Sequence, residues 1–168
     1  MFSPMVRWLL VFTTLGFGIH ALVAGRIYGA FFCASGVLLA LGHFLYGSVR
    51  ASFAALRGGN LARAHKLWER TPTRFLTAES RAYHAWIAAA LAEARGDLGA
   101  AKDELSRAIA LPLRTKNDKT LALATLAAIH EKLGENDEAR ARIAEVDALG
   151  PSARLAPLLD ALRAKLTD

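Results

Sequence analysis

The sequence predicts an all-α protein in which a transmembrane helical hairpin precedes about three helix-turn-helix repeats and a C-terminal capping helix. Three observations lead to this prediction. The first 49 residues carry only two charged side chains, whereas residues 50–168 carry all the others. A Gly-polar-x-x-x-Ala pattern occurs three times in the second part. Val and Ile are scarce there, and the dominance of Ala, Leu, Arg and Glu favours helices over strands.

Residues 1–49 form the predicted membrane domain, and residues 50–168 form the predicted cytoplasmic helical domain. Uncharged runs extend from 8 to 25 and from 27 to 49. Because about 20 apolar residues cross the hydrocarbon core, we expect two spans, at about 8–25 and 27–47.

A cleaved signal peptide is an alternative interpretation of the first run. Arg7, the apolar stretch after it, and Ala21 or Ala24 near a cleavage point have the required order. We favour an uncleaved hairpin because the second span follows after only a few residues.

Small residues recur on one side of each predicted span. Lipid gives helices little hydrophobic reason to associate, so close approach along small side chains supplies the contact instead. We therefore expect the two stripes to face each other across a tight turn at Gly25-Arg26. The stripes are Thr14, Gly18, Ala21 and Gly25 in the first span, and Gly29, Cys33, Gly36, Ala40, His43 and Gly47 in the second.

Basic residues cluster directly after the second predicted span. Between 50 and 74 the chain carries six basic residues and one acid, whereas 75–168 is nearly neutral. Such a cluster is attracted to anionic headgroups, at roughly 1 kcal/mol per basic residue near the surface. The residues expected at the headgroups are Arg50, Arg57, Arg63, Lys66, Arg70 and Arg74. Nucleic acid is the weaker alternative, because no stacking aromatics alternate with these residues.

The same cluster predicts the orientation of the hairpin. The connecting turn contains one basic residue, Arg26, and an excess of Lys and Arg marks the cytoplasmic side. Both termini and the helical domain are therefore expected in the cytoplasm. The Ala-, Arg- and Leu-rich composition suggests a bacterium, so the expected location is the inner membrane.

The soluble part contains an internal repeat that begins at Gly59, Gly96 and Gly134. A polar residue follows each glycine, and an alanine stands five positions after it. A large apolar residue follows that alanine by four positions. The alanines are Ala64, Ala101 and Ala139, and the large residues are Trp68, Leu105 and Ile143.

This pattern resembles the tetratricopeptide repeat, a helix-turn-helix unit that stacks into an α-solenoid. In that family a glycine ends helix A, a small alanine in helix B packs close to helix A, and a proline closes the unit. Asn60, Asp97 and Asn136 are suited to cap the three B helices. The family's Trp-x-x-Leu-Gly-x-x-Tyr pattern in helix A is missing, however, and a plain α-hairpin bundle is the alternative.

The helix boundaries follow from the repeat and from the amphipathic pattern. We expect the second span to continue as the first helix A through about Arg57. The later helices are expected at about 61–70, 78–94, 98–110, 118–133 and 136–148, with a capping helix at about 153–166. In the capping helix, one face carries Leu155, Leu158, Leu159, Leu162 and Leu166.

The resemblance also implies where a partner protein would bind. In tetratricopeptide arrays the helix-A faces line a groove that takes a segment of another protein. Tyr83 and Trp86 are the strongest candidates because exposed aromatic residues often anchor interfaces, although a core role is the equal alternative. Transferred by position, the groove residues are Phe53, Arg57, Tyr83, Trp86, Glu93, Leu121, Glu131 and Lys132.

Motifs of catalysis are not found in the sequence. It contains no phosphate-binding glycine loop, no His-Glu-x-x-His and no Gly-x-Ser-x-Gly. His20 and His43 lie at depths roughly 18 Å apart in a hairpin, too far to share a haem. We therefore expect no catalytic residue, no metal and no cofactor, and a protein that is not an enzyme.

Two functions fit these expectations. The first is a membrane-anchored adaptor or scaffold that binds another protein through the groove. The second is a structural or assembly subunit of a larger membrane complex, held by its transmembrane helices. A membrane-bound redox subunit that uses His20, His43 or Cys33 is a third and weaker alternative.

Overall fold

The computed structural model describes residues 4–46 and 48–167, and the side chains of all of these except 4, 5, 7 and 43–46. The described residues form helices and no strand, so the all-α prediction is confirmed. The helices are α1 (Pro4–Val23), α2 (Tyr28–Tyr46), α3 (Val49–Arg57), α4 (Leu61–Glu69), α5 (Ala78–Ala94), α6 (Leu98–Ala110), α7 (Lys116–Lys132), α8 (Asn136–Leu149) and α9 (Ala156–Lys165). A short 3-10 helix, Thr73–Phe75, lies between α4 and α5.

The first boundary differs from the prediction. We expected the second apolar run to continue without a break into the first helix A. Instead α2 ends at Tyr46 and a separate helix, α3, begins at Val49. The later predicted boundaries lie within about three residues of the observed ones, because local capping signals mark most of these helix ends.

Helices α1 and α2 pack against each other along the predicted small residues. A Cβ atom added to Gly18 would lie 2.7 Å from the backbone nitrogen of Cys33 and 2.9 Å from the carbonyl oxygen of Gly29. A Cβ added to Gly36 would lie 2.6 Å from Cγ of Leu15, which is outside the predicted stripe, and 3.0 Å from Thr14 Oγ1, which belongs to it. The expected contact between the two stripes is therefore confirmed for these residues. The side chain of His43 and all of Gly47 lie outside the described part of the chain.

The predicted spans do not receive the same support. Within the described residues, no helix has both the length and the hydropathy required to cross a membrane.

Residues 48–167 form three helical hairpins, α3–α4, α5–α6 and α7–α8. Each first helix ends at a glycine with positive φ: Gly59 at 76°, Gly96 at 80° and Gly134 at 77°. The residue after each glycine donates its backbone N–H to a carbonyl five positions earlier, as from Asp97 to Ala92 at 3.0 Å. This Schellman bonding ends a helix where only glycine adopts the conformation without strain. The turns are therefore encoded by local sequence.

The second helix of each hairpin begins as predicted in two cases of three. Asn60 accepts a hydrogen bond from the N–H of Arg63 and Asp97 from that of Ala100, each at 3.0 Å. Asn136 is not a cap: Glu135 occupies the N-cap position of α8, and its side chain makes no capping bond. The predicted close-packing alanines, at 64, 101 and 139, are fully buried.

The last helix closes the array. Leu155 and Leu159 of α9 join Leu123 and Val146 of α7 and α8 in one apolar cluster. Leu162 and Leu166 join Ile143 in a second cluster with two buried alanines. Four of the five leucines of the predicted apolar face are therefore buried, whereas Leu158 is exposed.

The side chain of Glu135, which does not cap α8, forms a three-residue polar network with Lys102 and His130 that connects two hairpins. Its Oε1 lies 2.7 Å from Lys102 Nζ, and its Oε2 lies 2.6 Å from Nδ1 of His130. Hydrogen bonds from Lys102 and then from His130 lower the pKa of the Glu135 carboxyl. The carboxylate does not cap α8, because its two oxygens are bonded to Lys102 of α6 and to His130 at the end of α7.

We expect Glu135→Gln to destabilise the array in a pH-dependent manner. Because the folded pKa is below the ordinary value of 4.5, the stabilisation is present above that value and is lost as the pH falls through the folded pKa. The difference in unfolding free energy between wild type and Glu135→Gln should therefore shrink in acid. Urea unfolding at several pH values measures this, with the exposed Glu138→Gln as the control. A difference that does not change with pH would contradict this account.

Candidate protein-binding groove

A cavity of about 250 Å³ lies between α3, the first two turns of α5 and the segment around the start of α7. Three of the predicted groove residues line it together: Phe53, Arg57 and Tyr83. The remaining lining residues come from α3, from the start of α5 and from the segment around the start of α7: Val49, Arg50, Ala54, Glu79, Ser80, Arg114 and Asp118.

Tyr83 joins α5 to the segment around the start of α7. Its hydroxyl donates to Asp118 Oδ2 at 2.6 Å and accepts from the backbone N–H of Arg114 at 3.2 Å. The same Asp118 oxygen accepts from Thr115 Oγ1 at 2.9 Å. These bonds hold one wall of the cavity in place. Burial, and then the hydrogen bond to Asp118, raise the pKa of Tyr83 to about 12.

The raised pKa predicts a pH dependence at the alkaline side. Because the fold stabilises the neutral phenol, the contribution of Tyr83 is fully present below its ordinary pKa of 10 and is lost as the pH rises toward about 12. An absorbance titration of tyrosinate should show one late-ionising tyrosine that is missing in Tyr83→Phe. At neutral pH this variant should lose about 0.5–1.5 kcal/mol, because two part-buried hydrogen bonds are removed. A Tyr83 that ionises at 10 would contradict the bond to Asp118.

Phe53 and Tyr83 form the aromatic floor of the cavity. The ring of Phe53 lies 4.9 Å from that of Tyr83 and 5.1 Å from that of Trp86, measured between centroids. Trp86 is 5% exposed and Tyr83 is 9% exposed. The alternative of a core role therefore describes both residues, and neither presents an exposed aromatic face. Phe53 is half-buried and packs against the same core cluster.

The charges around the cavity are unevenly paired. Arg50, Arg57 and Arg114 face Glu79 and Asp118, and Asp118 is already bonded to Tyr83. Within the described part of the chain, the guanidinium groups of Arg57 and Arg114 have no carboxylate oxygen within 4.0 Å. The cavity therefore combines an apolar floor with guanidinium groups that can bind an anionic group.

The other predicted groove residues lie farther along α5 and α7 and connect neighbouring helices. Lys132 Nζ lies 2.6 Å from Glu93 Oε1, which ties the end of α7 to that of α5. Lys165 of α9 lies 3.2 Å from Glu131 Oε1. Leu121 is partly buried between two core clusters. The structure thus places these residues on the helix-A side, outside the cavity.

Sequence reasoning did not identify the residues that the segment around the start of α7 contributes, Arg114 and Asp118. One local signal was available. Thr115 accepts from the N–H of Asp118 at 3.0 Å, a capping pattern that Thr-x-x-Asp predicts at a helix start. Nothing local, however, indicates that this helix start lies beside Tyr83, which is more than thirty residues earlier.

The six basic residues expected at lipid headgroups are all exposed, and those in α3 and α4 are distributed along both helices. Arg50 lies in the first turn of α3, whereas Arg57 lies at its last residue. Arg63 follows the turn at Gly59, and Arg70 ends α4. Arg57 therefore lies about 10 Å along α3 from Arg50, and Arg63 about 10 Å along α4 from Arg70, although Arg50 and Arg57 both line the cavity.

Within the residues that the structure describes, no three His, Cys, Asp or Glu side chains are placed to hold a metal ion. Of the two histidines considered for a haem, the side chain of His43 lies outside those residues. Comparison of the chain with protein-family models, with curated proteins and with solved structures gave no match.

Proposed function

We propose that this protein is a membrane-anchored adaptor. The α1–α2 hairpin inserts in a bacterial inner membrane with both termini in the cytoplasm. The array of helical hairpins, which we interpret as tetratricopeptide-like repeats, binds a segment of another protein along its helix-A side. The cavity beside Phe53 and Tyr83 is the central part of this binding surface.

The distribution of exposed apolar side chains supports the membrane part of the proposal. Among the described residues, the exposed large apolar side chains outside 4–46 are only Leu61, Phe75, Leu133 and Leu158. The hairpin exposes sixteen, including Phe12, Phe17, Phe31 and Leu38. A soluble protein rarely leaves so large an apolar surface in water, and lipid is the partner that covers a hairpin on all sides.

The repeated positions support the interpretation of the array. The glycine with positive φ, the fully buried alanine five residues later and the buried large residue after it recur in the last two hairpins. The first hairpin has the same glycine and alanine, with the half-buried Trp68 as the large residue. Nearest-neighbour packing of such units produces an elongated array with an extended face.

The observation that carries the adaptor proposal is the cavity itself. It has an aromatic floor, it opens on the helix-A side, and the cations of Arg57 and Arg114 at its rim lack carboxylate partners among the described residues. A concave apolar site with a few convergent polar groups is the usual form of a binding site. The ligand that fits it is a peptide segment with an apolar side chain beside an acidic group.

Site-specific photo-cross-linking in native membranes tests the proposal. A benzophenone amino acid at Ala54, which is exposed at the cavity, should give an adduct with one protein. The same amino acid at Ser106, exposed on α6, is the matched control on a helix-B surface. Arg57→Gln combined with Arg114→Gln should reduce the Ala54 adduct without changing helicity. Equal adducts at both positions, or none at Ala54, would reject the groove.

A structural subunit of a membrane complex is the second candidate. Gly16 has no atom within 4 Å of an added Cβ, and the same holds for Gly42. Small residues that the hairpin contact does not use allow another membrane helix to approach closely. A cross-linker at Gly16 that captures a membrane protein, with no capture at Ala54, would favour this function over the adaptor.

A further inference from the structure

The helical array has two chemically different ends. Helix α3 begins at Val49, at most about 11 Å of chain after Tyr46. It runs away from that point to the turn at Gly59, and α4 runs back, so that the segment after α4 returns to the end where α3 starts.

The other loops lie at this same end. Residues along the whole of α3, from the first two turns of α5 and from the segment around the start of α7 line one cavity, in which Val49 and Arg50 of α3 join Glu79 and Ser80 of α5. Thr73, between α4 and α5, and Leu111, after α6, line another. Lys116 Nζ lies 3.7 Å from the position of an added Cβ on Gly150. The three connecting loops, 70–77, 111–116 and 150–155, therefore share the end of the array that is joined to α2.

These loops carry charge of one sign. They contain five basic residues and no acidic residue. The turns at the opposite end, 58–60, 95–97 and 133–135, contain one basic and two acidic residues. The loops at the hairpin end thus carry a net charge of +5, with Glu69, Glu79, Asp118 and Asp147 in the flanking helix turns, and their basic residues lie up to 84 positions apart in the sequence.

Phe75 adds an apolar contact to this end. Its side chain is 51% exposed, and the guanidinium of Arg74 lies over its ring, 5.7 Å from the centroid. An exposed aromatic residue beside arginines is the combination that partitions into the headgroup region, where the ring meets apolar carbon and the cations meet phosphate.

We propose that this loop face rests on a bilayer surface that contains anionic phospholipids, so that the helical hairpins stand upright on the membrane. The loop face comprises Arg70, Arg74, Phe75, Lys116 and Arg154, whereas Arg114, which lines the cavity, is assigned to the protein-binding surface. This inference rests on the proposed insertion of α1 and α2. It proposes a different set of headgroup-binding residues from the basic cluster at 50–74 that the sequence predicts. Arg57 and Arg63 are excluded from the loop face because their backbones flank the opposite turn at Gly59.

An anionic lipid surface fits the loop face better than a protein ligand does. The five residues are spread over three loops around a broad end, and each side chain is exposed. Each basic residue near an anionic surface contributes about a fivefold preference for the surface. The opposite turns lie farther away by about 13 Å along α3 and about 25 Å along α5 and α7, beyond one Debye length at physiological salt.

The test uses the full chain in vesicles, in a Cys33→Ala background. A fluorophore is attached at Thr73→Cys on the loop face, or at Leu133→Cys as the matched control at the opposite turn. A phosphatidylcholine with a nitroxide on its headgroup is the quencher, and the vesicles are prepared with and without phosphatidylglycerol. We expect quenching at 73 that increases with phosphatidylglycerol, and no quenching above background at 133.

Charge variants make the test sharper. Arg70→Gln with Arg74→Gln should lower the ratio of docked to undocked array about 30-fold and should abolish most of the quenching at 73. The control Arg95→Gln, at an opposite turn, should leave the quenching at 73 unchanged. Equal quenching at 73 and 133, or quenching that ignores both phosphatidylglycerol and the arginines, would overturn the proposal.

A separate experiment, extraction of the vesicles with alkaline carbonate, distinguishes failure of the proposed membrane insertion from failure of the loop-face proposal. If alkaline carbonate extracts the protein from the vesicles, the insertion of α1 and α2 is wrong, and the loop-face proposal is wrong with it. If the protein stays in the vesicles but the label at 73 is not quenched, only the loop face is refuted.

Discussion

Trp86→Ala is expected to remove much of the stability of the helical array. Truncating a buried tryptophan typically costs about 3–5 kcal/mol, against a total of about 5–15 kcal/mol for a domain. The indole packs against Phe53, from the preceding hairpin, and beside Tyr83. Urea unfolding of the full chain in mild detergent, followed by circular dichroism, should show a large loss of unfolding free energy.

The exposed Phe75→Ala is the control for this prediction. Its ring is half in solvent, so the unfolding free energy should change by no more than about 0.5 kcal/mol. A Trp86→Ala variant as stable as wild type, but with a weakened partner cross-link, would show that Trp86 faces the groove after all. The pair of variants therefore separates a core role from a binding role.

Gly18→Leu is expected to force the α1–α2 hairpin apart. An added Cβ would approach the Cys33 nitrogen to 2.7 Å and the Gly29 carbonyl to 2.9 Å, and both are backbone atoms that cannot move aside cheaply. Overpacking of this kind costs about 1–3 kcal/mol or more. Cys33 is the sole cysteine, so its thiol reports directly on the contact.

The rate at which Cys33 reacts with a small thiosulfonate in detergent measures this effect. We expect an increase of about tenfold in Gly18→Leu. Gly16→Leu is the matched control, because an added Cβ there meets no atom within 4 Å. Equal rates in both variants would show that the glycine contact does not hold the helices together.

The prediction of the helices succeeded where the signal was local. Gly96 and Asp97 end one helix and cap the next through hydrogen bonds within a few residues, so the sequence pattern contains all the participants. Asn136 failed as a cap because Glu135 occupies the N-cap position and takes part in contacts outside its own turn, above all with Lys102, thirty-three residues earlier. The break between α2 and α3 was missed because we read the apolar run as one continuous helix.

The candidate site was less predictable than the helices. Position within a helix-A face identified Phe53, Arg57 and Tyr83 as neighbours, and the structure brings them to one cavity. Position within the helix-A face did not show that Trp86 is in the core. Residues that face the groove and residues that face the core differ by only a few tens of degrees in their angle around the helix axis. Nor did position within that face identify Arg114, whose place depends on how one hairpin packs on the next.

The sequence by itself determined the all-α class, the three glycine turns and the apolar character of the first 46 residues. These depend on composition and on hydrogen bonds between residues fewer than about six positions apart. Only the tertiary structure decided which arginines gather at the loop face, and which aromatic rings form the floor of the cavity. Those groupings join residues tens of positions apart, and they arise from the packing of one helical hairpin against another.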